Sequence, residues 1–155
     1  PIPQHFVSHV TVIQIELKDL DALKAVCEQL GLEFREHQQT YRWYGTHIGD
    51  YPLPGGFSKR DLGKCDHALA VKNSPNSYEV GLVKRGDAYV PLWDFWQGGY
   101  GLRDRIGEGG DKLIAAYTKE VAVRKARQFA KSKGWSYSEK VDAQTQQTII
   151  TLRKY

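Results

Sequence analysis

Residues 19–36 have the sequence DLDALKAVCEQLGLEFRE, in which a helical pattern is followed at once by a strand pattern. Apolar side chains recur every three or four positions from Leu20 to Leu30, as they do on one face of an α-helix. An aspartate at position 19 or 21 can cap the start of this helix, and Gly31 ends it. The next five residues, Leu32–Glu36, predict a β-strand that follows the helix without a linker.

Strand patterns continue on both sides of this unit. Before it, Val10–Leu17 alternates in the manner of a half-buried strand. After it, four more strands are predicted, at Thr40–Tyr44, Cys65–Val71, Tyr78–Leu82 and Tyr89–Leu92. Lys84–Asp87 has the composition of a hairpin turn. Residues 45–64 are rich in Gly, Pro, Lys and Arg without periodicity, which predicts a long loop or insertion.

The C-terminal part of the chain predicts a second helix and a hairpin. The helix spans residues 111–133 and ends at Gly134, and two strands, Trp135–Val141 and Thr148–Lys154, are joined by a polar loop. The resulting order, β-α-β-β-β-β-β-α-β-β, can be divided into two β-α-β-β units. It predicts one α+β domain over residues 1–155, with a mainly antiparallel sheet and two helices packed on one face. The expected core residues are Ile13, Ile15, Leu17, Leu23, Cys27, Leu30, Val80, Leu82, Val121 and Phe129.

Composition narrows the class of protein. Hydrophobic residues make up 41% of the chain and charged residues 26%, which is typical of globular proteins, and the apolar runs are too short to span a bilayer. Two cysteines and the absence of a secretory signal favour a cytoplasmic protein without a membrane partner. The formal net charge of +4 favours anionic partners.

Several short motifs occur in a characteristic order. Ser8-His9 opens a hydrophobic strand, the first helix ends in Leu30-Gly31, and Cys65-Asp66 follows the long loop. The remaining motifs are Tyr78-Glu79-Val80-Gly81, Trp93-Asp94-Phe95-Trp96, a basic helix and a terminal Arg153-Lys154-Tyr155.

In this order the chain resembles a conserved family of plastid genomes (hypothetical chloroplast reading frame thirty-five), which also occurs in cyanobacteria, other bacteria and large phages. The resemblance implies the same fold order and directs attention to His9, Asp66 and Asp94. It implies no activity. A phage origin would fit an accessory factor that sequesters nucleotides or acts on a host machine.

The segment Trp93–Gly101 combines four aromatic residues, one carboxylate and three glycines within nine positions. Aromatic rings are costly to leave in water, and glycines allow close approach of the backbone. This composition is typical of a segment that closes a core or lines a pocket, and both interpretations stay open. Trp93, Asp94 and Trp96 are therefore candidate ligand-binding residues.

Catalytic and metal-binding motifs are scarce. The chain has no P-loop, no Gly-x-Ser-x-Gly elbow and no paired Cys or His set with zinc spacing. Cys65 and His67 share a strand face, but no third group that would orient them is identifiable. A small enzyme that uses His9, Asp66, His67 and Asp94 is an alternative function. We expect no catalytic residues, no metal and no cofactor.

The second helix carries the clearest functional pattern. At helical spacing, Lys112, Lys119, Arg124, Arg127 and Lys131 fall within one broad arc, which suits a phosphate backbone or a solvated face with salt bridges. Arg42 and Trp43 lie between two tyrosines, so a basic residue is interleaved with aromatic ones, which favours base stacking or core packing. The candidate ligand-binding residues are His9, Arg42, Trp43, Asp66, His67, Trp93, Asp94, Trp96, Lys119, Arg124, Arg127 and Lys131.

These observations favour a non-catalytic binding domain for an anionic ligand, either a nucleotide or single-stranded nucleic acid. A second alternative is an adaptor that docks on a protein partner through residues 45–64 and the Trp93 segment. Catalysis is the third hypothesis.

We predict that folding needs no metal, because the candidate ligands lack a complete zinc set. The circular dichroism spectrum of the purified chain should not change when a strong chelator is added. A cooperative loss of structure on chelation would contradict this prediction and make Cys65, His67 and His47 candidate ligands again.

Overall fold

The computed structural model describes residues 16–46, 53 and 55–154, which contain three α-helices and six β-strands. The helices are α1 (Leu20–Leu30), α2 (Leu102–Ile106) and α3 (Asp111–Lys133). The strands are β1 (Leu32–Glu36), β2 (His67–Val71), β3 (Val80–Arg85), β4 (Ala88–Leu92), β5 (Ser136–Val141) and β6 (Thr148–Arg153). A short 3-10 helix lies at Lys59–Asp61, and the turns at Trp96–Gly101 and Glu108–Gly110 contain residues with left-handed φ.

Strands β1 to β4 form one antiparallel sheet in chain order, and β5 and β6 form a separate antiparallel ribbon. The protein therefore has the expected α+β fold with a mainly antiparallel sheet. Leu17 exchanges both backbone hydrogen bonds with Tyr89 of β4, at 2.9 and 2.8 Å. The rest of the predicted strand Val10–Leu17 lies outside the described residues, apart from Glu16.

The two long helices begin and end where the sequence predicts. The Asp19 carboxylate accepts a hydrogen bond from the Ala22 N–H at 2.9 Å, and Gly31 ends α1 with φ 70°. Helix α3 ends at Gly134, whose φ of 69° is the left-handed conformation that glycine adopts without strain. Tyr117 of α3 joins the helices, because its hydroxyl oxygen accepts from the N–H groups of Lys18 and Asp19.

One face of the sheet packs against the helices and forms the larger core. Leu69, Val80 and Leu82 contribute from the sheet, and Leu23 and Leu113 contribute from α1 and α3. Burying apolar side chains of this size stabilises the fold by about 1.5–3 kcal/mol each. No helix within the described ranges combines the length and apolar composition needed to cross a bilayer.

The other face of the sheet is covered by the chain between β1 and β2. Tyr41 and Trp43 pack there with Ala68, Val83 and Leu92. The prediction of a strand at Thr40–Tyr44 was wrong, because this segment has only one isolated bridge, from Thr40 to Lys64. Tyr41 and Trp43 alternate because both rings turn toward the sheet face that they cover.

The expected core is correct for most of its described members. Leu17, Leu23, Cys27, Val80 and Leu82 are buried. Leu30 and Val121 are half-buried against the core, and Ile13 and Ile15 lie outside the described residues.

Phe129 was wrongly predicted as a core residue, because its side chain is 44% exposed. Leu113 and Tyr117 bury one side of α3 in the main core. Val123 and Ala130 instead bury a different side, farther along the helix. Because the buried side changes along α3, a single helical arc does not describe it.

Gly81 of β3 is essential to the second face, because a Cβ atom at this position would overlap the ring of Tyr41. We predict that Gly81→Ala lowers the free energy of unfolding by about 1–3 kcal/mol, the usual cost of overpacking. Urea denaturation would measure the loss. In a Tyr41→Ala background, which removes the ring, the same substitution should cost much less. Equal costs in both backgrounds would show that the ring does not constrain this position.

Candidate functional site

A cleft of about 580 Å³ lies where β1 ends and β2 begins. Its lining includes the sequence-predicted residues Asp66 and His67 together with His37, Lys64 and Tyr89. The ring of His67 lies 5.1–5.4 Å from the rings of Phe34, His37 and Tyr89. The cleft is therefore an aromatic concavity with few charges.

The polar groups of this cleft are engaged in the fold. The Cys65 thiol donates to the Gln38 carbonyl oxygen at 3.1 Å, and the Asp66 carboxylate accepts from the Lys84 N–H at 2.7 Å. Burial raises the pKa of Cys65 to about 12, so the sulfur is a thiol rather than a thiolate at neutral pH. The arrangement does not support nucleophilic catalysis by Cys65.

His67 is held in its neutral form. Its Nδ1 accepts a hydrogen bond from the His37 N–H at 2.9 Å, which places the ring proton on Nε2. Burial, and then the neighbouring His37 imidazole, lowers the pKa of His67 below its usual value, against the opposing effect of Glu36 and Asp66. A neutral, buried imidazole is a weak partner for an anion.

Among the described residues, no group of three or more His, Cys, Asp and Glu side chains is arranged to hold a metal ion. His9 and His47 lie outside the described residues. Asp94 does not join the cleft of Asp66 and His67. The Asp66 carboxylate binds the backbone of Lys84, whereas Asp94 lies beyond the end of β4 at Leu92, roughly 10 Å or more away at the usual rise of a strand.

A second group of predicted residues meets at the opposite end of the sheet. Asp94 is 2% exposed, and its carboxylate accepts from the N–H groups of Tyr44 and Trp96, both at 2.9 Å. The Arg42 guanidinium donates to the Ser77 carbonyl oxygen at 2.8 Å and lies 4.0 Å from Glu79.

The aromatic residues of this group pack inside the protein. Trp93 is 2% exposed and Phe95 6% exposed, so these rings close the core. Trp43 is half-buried, and a Cβ atom at Gly63 would lie 2.7 Å from its Nε1 atom. Trp96 is half-buried and packs edge-on against Tyr44, with 5.7 Å between the ring centroids. The geometry gives these residues a structural role.

The chain after Trp96 contains a left-handed turn. Four consecutive residues, Gln97 to Tyr100, have φ between 51° and 66°. Glycine adopts these angles freely, whereas each L-residue with a side chain costs about 1–2 kcal/mol there. The carbonyl oxygen of Gly99 accepts from the Tyr78 N–H at 2.8 Å, and that of Tyr100 accepts from the Ser77 hydroxyl at 2.6 Å. These hydrogen bonds hold the strained turn against the sheet.

Helix α3 brings three of the four predicted basic residues to one surface. Arg124, Arg127 and Lys131 line a cavity of about 430 Å³ near the start of α1, with Asp19 and Asp21. The three bases continue the line of Leu113 and Tyr117 along the helix, beyond the part of α3 that is buried in the core. We call them the basic row.

Lys119 lies apart from most of the basic row. It lines a cavity of about 330 Å³ between α3 and the β5–β6 ribbon, together with Arg127 and Lys140. Two carboxylates reach these bases: Glu120 lies 2.9 Å from Arg124, and Glu139 lies 3.5 Å from Arg127. The sequence-predicted arc therefore faces two adjacent cavities.

The distribution of charge along the chain extends this surface beyond the predicted residues. Residues 1–110 contain twelve Lys and Arg against fourteen Asp and Glu, whereas residues 111–155 contain ten against four. Of the ten, only Arg124 and Arg127 form ion pairs within the described part of the chain. We call α3 with the ribbon, residues 111–154, the basic unit. A comparison of charge between the two parts of the sequence would have identified it.

Comparison of the chain with protein-family models, curated proteins and solved structures finds no match.

The neutral state of His67 predicts a dependence of stability on pH. In the unfolded chain a histidine takes up its proton near pH 6.5, whereas the lowered pKa in the native state delays this uptake. The unfolded state therefore binds more protons as the pH falls from about 7.5 to about 5.5, and the free energy of unfolding decreases. In His67→Asn, the amide oxygen can accept from the His37 N–H without titrating. Urea denaturation should show a smaller decrease for this variant.

His37→Asn is the matched control, because it removes an exposed imidazole and leaves both His67 and the backbone N–H in place. Asparagine also tolerates the φ of 63° at this position. The control should keep most of the pH dependence. An equal decrease in the parent and in His67→Asn would contradict the role of this imidazole.

Proposed function

We propose that the chain is a non-catalytic nucleic-acid-binding domain whose basic unit holds the phosphate backbone. The observation that supports this most directly is the excess of cations in residues 111–154, most of which form no ion pair with another described residue. Unpaired Lys and Arg side chains on one unit attract a polyanion and release its counterions on binding.

The extent of the basic unit favours a polymer over a mononucleotide. Lys112 and Lys133 lie at the two ends of α3, about 30 Å apart at the rise of an α-helix. Within the basic row, Arg124 and Lys131 are separated by about 10 Å along the axis. A nucleic-acid strand has a phosphate every 3.4 Å or so, so the row can contact several successive phosphates.

The alternatives have less support from the geometry. The cleft of His67 is lined by one lysine, Lys64, and one carboxylate, Asp66, and the His67 imidazole is neutral, so the cleft does not favour an anion. A partner that docks on Trp93 would need a side chain that is only 2% exposed. Of the residues of the alternative small enzyme, Asp66 and His67 line one cleft and Asp94 lies at the opposite end of the sheet, whereas His9 lies outside the described residues.

The proposal predicts the effect of neutralising the predicted bases. Lys119, Arg124, Arg127 and Lys131 are changed together to Gln, and binding of a fluorescent oligonucleotide is measured by anisotropy over a range of salt concentrations. Affinity at low salt should fall by at least about tenfold. For a single strand, the slope of log affinity against log salt should decrease by about 0.7 for each phosphate that the variant no longer neutralises.

The matched control changes Lys18, Lys59, Arg60 and Lys84 to Gln, which removes the same charge from the other part of the chain. This variant should bind nearly as tightly as the parent. Melting temperatures of both variants should stay close to that of the parent, because exposed charges contribute little to stability. If both variants lost affinity equally, the loss would depend only on the net charge of the chain. The proposal that the basic unit is the binding surface would then be wrong.

A further inference from the structure

The β5–β6 ribbon presents one face to α3 and the other to solvent. Exposure alternates along β6, so Thr148, Ile150 and Leu152 are half-buried while Ile149 and Thr151 are exposed. The register of the strands extends the two faces across the ribbon, but exposure does not alternate along β5, where Ser136 is half-buried and Ser138 to Val141 are all exposed. The outer face consists of the cross-strand pairs Ser136–Arg153, Ser138–Thr151 and Lys140–Ile149.

The outer face carries positive charges and hydroxyl groups but no negative charge. It contains two cations, three hydroxyl groups and one apolar side chain, and it has no carboxylate. The carboxylate of the ribbon strands, Glu139, belongs to the inner face, where it lies 3.5 Å from Arg127. Every polar group on the outer face can donate a hydrogen bond, and both charged groups are positive.

The ribbon is also free of neighbouring strands. β5 and β6 pair only with each other among the described strands, so the ribbon is two strands wide. Paired strands lie about 4.8 Å apart, and a two-stranded ribbon fits the major groove of B-form DNA, which is about 12 Å wide.

We infer that the outer face of the ribbon enters the major groove of double-stranded DNA, an inference that rests on the proposed function and adds the form of the nucleic acid. Arg153 suits the O6 and N7 acceptors of guanine, and Ile149 suits the methyl group of thymine. Lys140 shares this face by strand register and also borders the cavity between α3 and the ribbon. Ser138 and Thr151 can hydrogen bond to any base. The cations of α3 supply the contacts to phosphate.

The same geometry discriminates between duplexes. The major groove of A-form RNA is deep and narrow, and side chains on a ribbon cannot reach its bases. A duplex DNA of about two helical turns, roughly 20 base pairs, should therefore bind at least about tenfold more tightly than an RNA duplex of the same sequence and length. Single-stranded DNA of that length should also bind more weakly than the DNA duplex.

The inference is tested by anisotropy at low salt, with these three labelled probes and the 155-residue chain. Thr151→Glu places a carboxylate in the centre of the outer face and should weaken duplex DNA binding by at least about tenfold. The matched control is Thr118→Glu, which adds the same charge at an exposed position on the side of α3 opposite the basic row. This control should reduce affinity by less than about threefold, and circular dichroism should show both variants folded.

The outcomes separate the two proposals. If no probe binds to the parent chain, both the proposed function and the ribbon inference are overturned. If single strands or RNA duplexes bind as tightly as duplex DNA, or if Thr151→Glu and Thr118→Glu have equal effects, only the ribbon inference is overturned. A preference for duplex DNA that Thr151→Glu abolishes and Thr118→Glu leaves intact supports it.

Discussion

Two buried carboxylates hold the loop that covers the second face of the sheet. Glu79 accepts from the Arg42 N–H at 2.8 Å, and Asp94 accepts from the Tyr44 N–H at 2.9 Å. Removing a charge from water is costly, and hydrogen bonds from backbone N–H groups offset that cost. They also replace the strand partner that this loop lacks. Because the loop is fixed at these two points, Trp43 between them and Tyr41 just before them are held against the sheet. Both faces of the sheet are therefore covered.

The elements that the sequence predicted best are those whose limits are local. Asp19, Gly31 and Gly134 act on the few residues next to them, and both long helices begin and end as expected. The segment at Thr40–Tyr44 has the alternation of a strand, yet its rings alternate because they cover a sheet rather than join one. The exposure of Phe129 depends on where α1 and the ribbon contact α3. The helical periodicity of the sequence gives no information about these contacts.

The same distinction applies to the candidate interface. Arg124, Arg127 and Lys131 meet on one surface because helical spacing places them there, and the spacing is visible in the sequence. Of the two candidates for stacking, Trp43 packs on the second sheet face, and the Arg42 guanidinium donates to the Ser77 carbonyl oxygen. The outer face of the ribbon is a property of pairing between strands, since cross-strand partners such as Ser138 and Thr151 are thirteen positions apart. Only the register of the ribbon reveals that its solvent face lacks an acid.

The turn at residues 97–100 has a left-handed backbone conformation, whereas L-amino acids prefer the right-handed one. Gly98 and Gly99 are achiral and adopt the left-handed conformation without strain. Gln97 and Tyr100, by contrast, are L-amino acids with φ of 51° and 52°. A left-handed conformation is the natural one for a D-residue, since the two forms are mirror images. In a chemically synthesised chain, the mirror-image amino acid would thus fit these two positions better than the natural one. At this turn the fold requires two L-amino acids to adopt a conformation that their chirality disfavours.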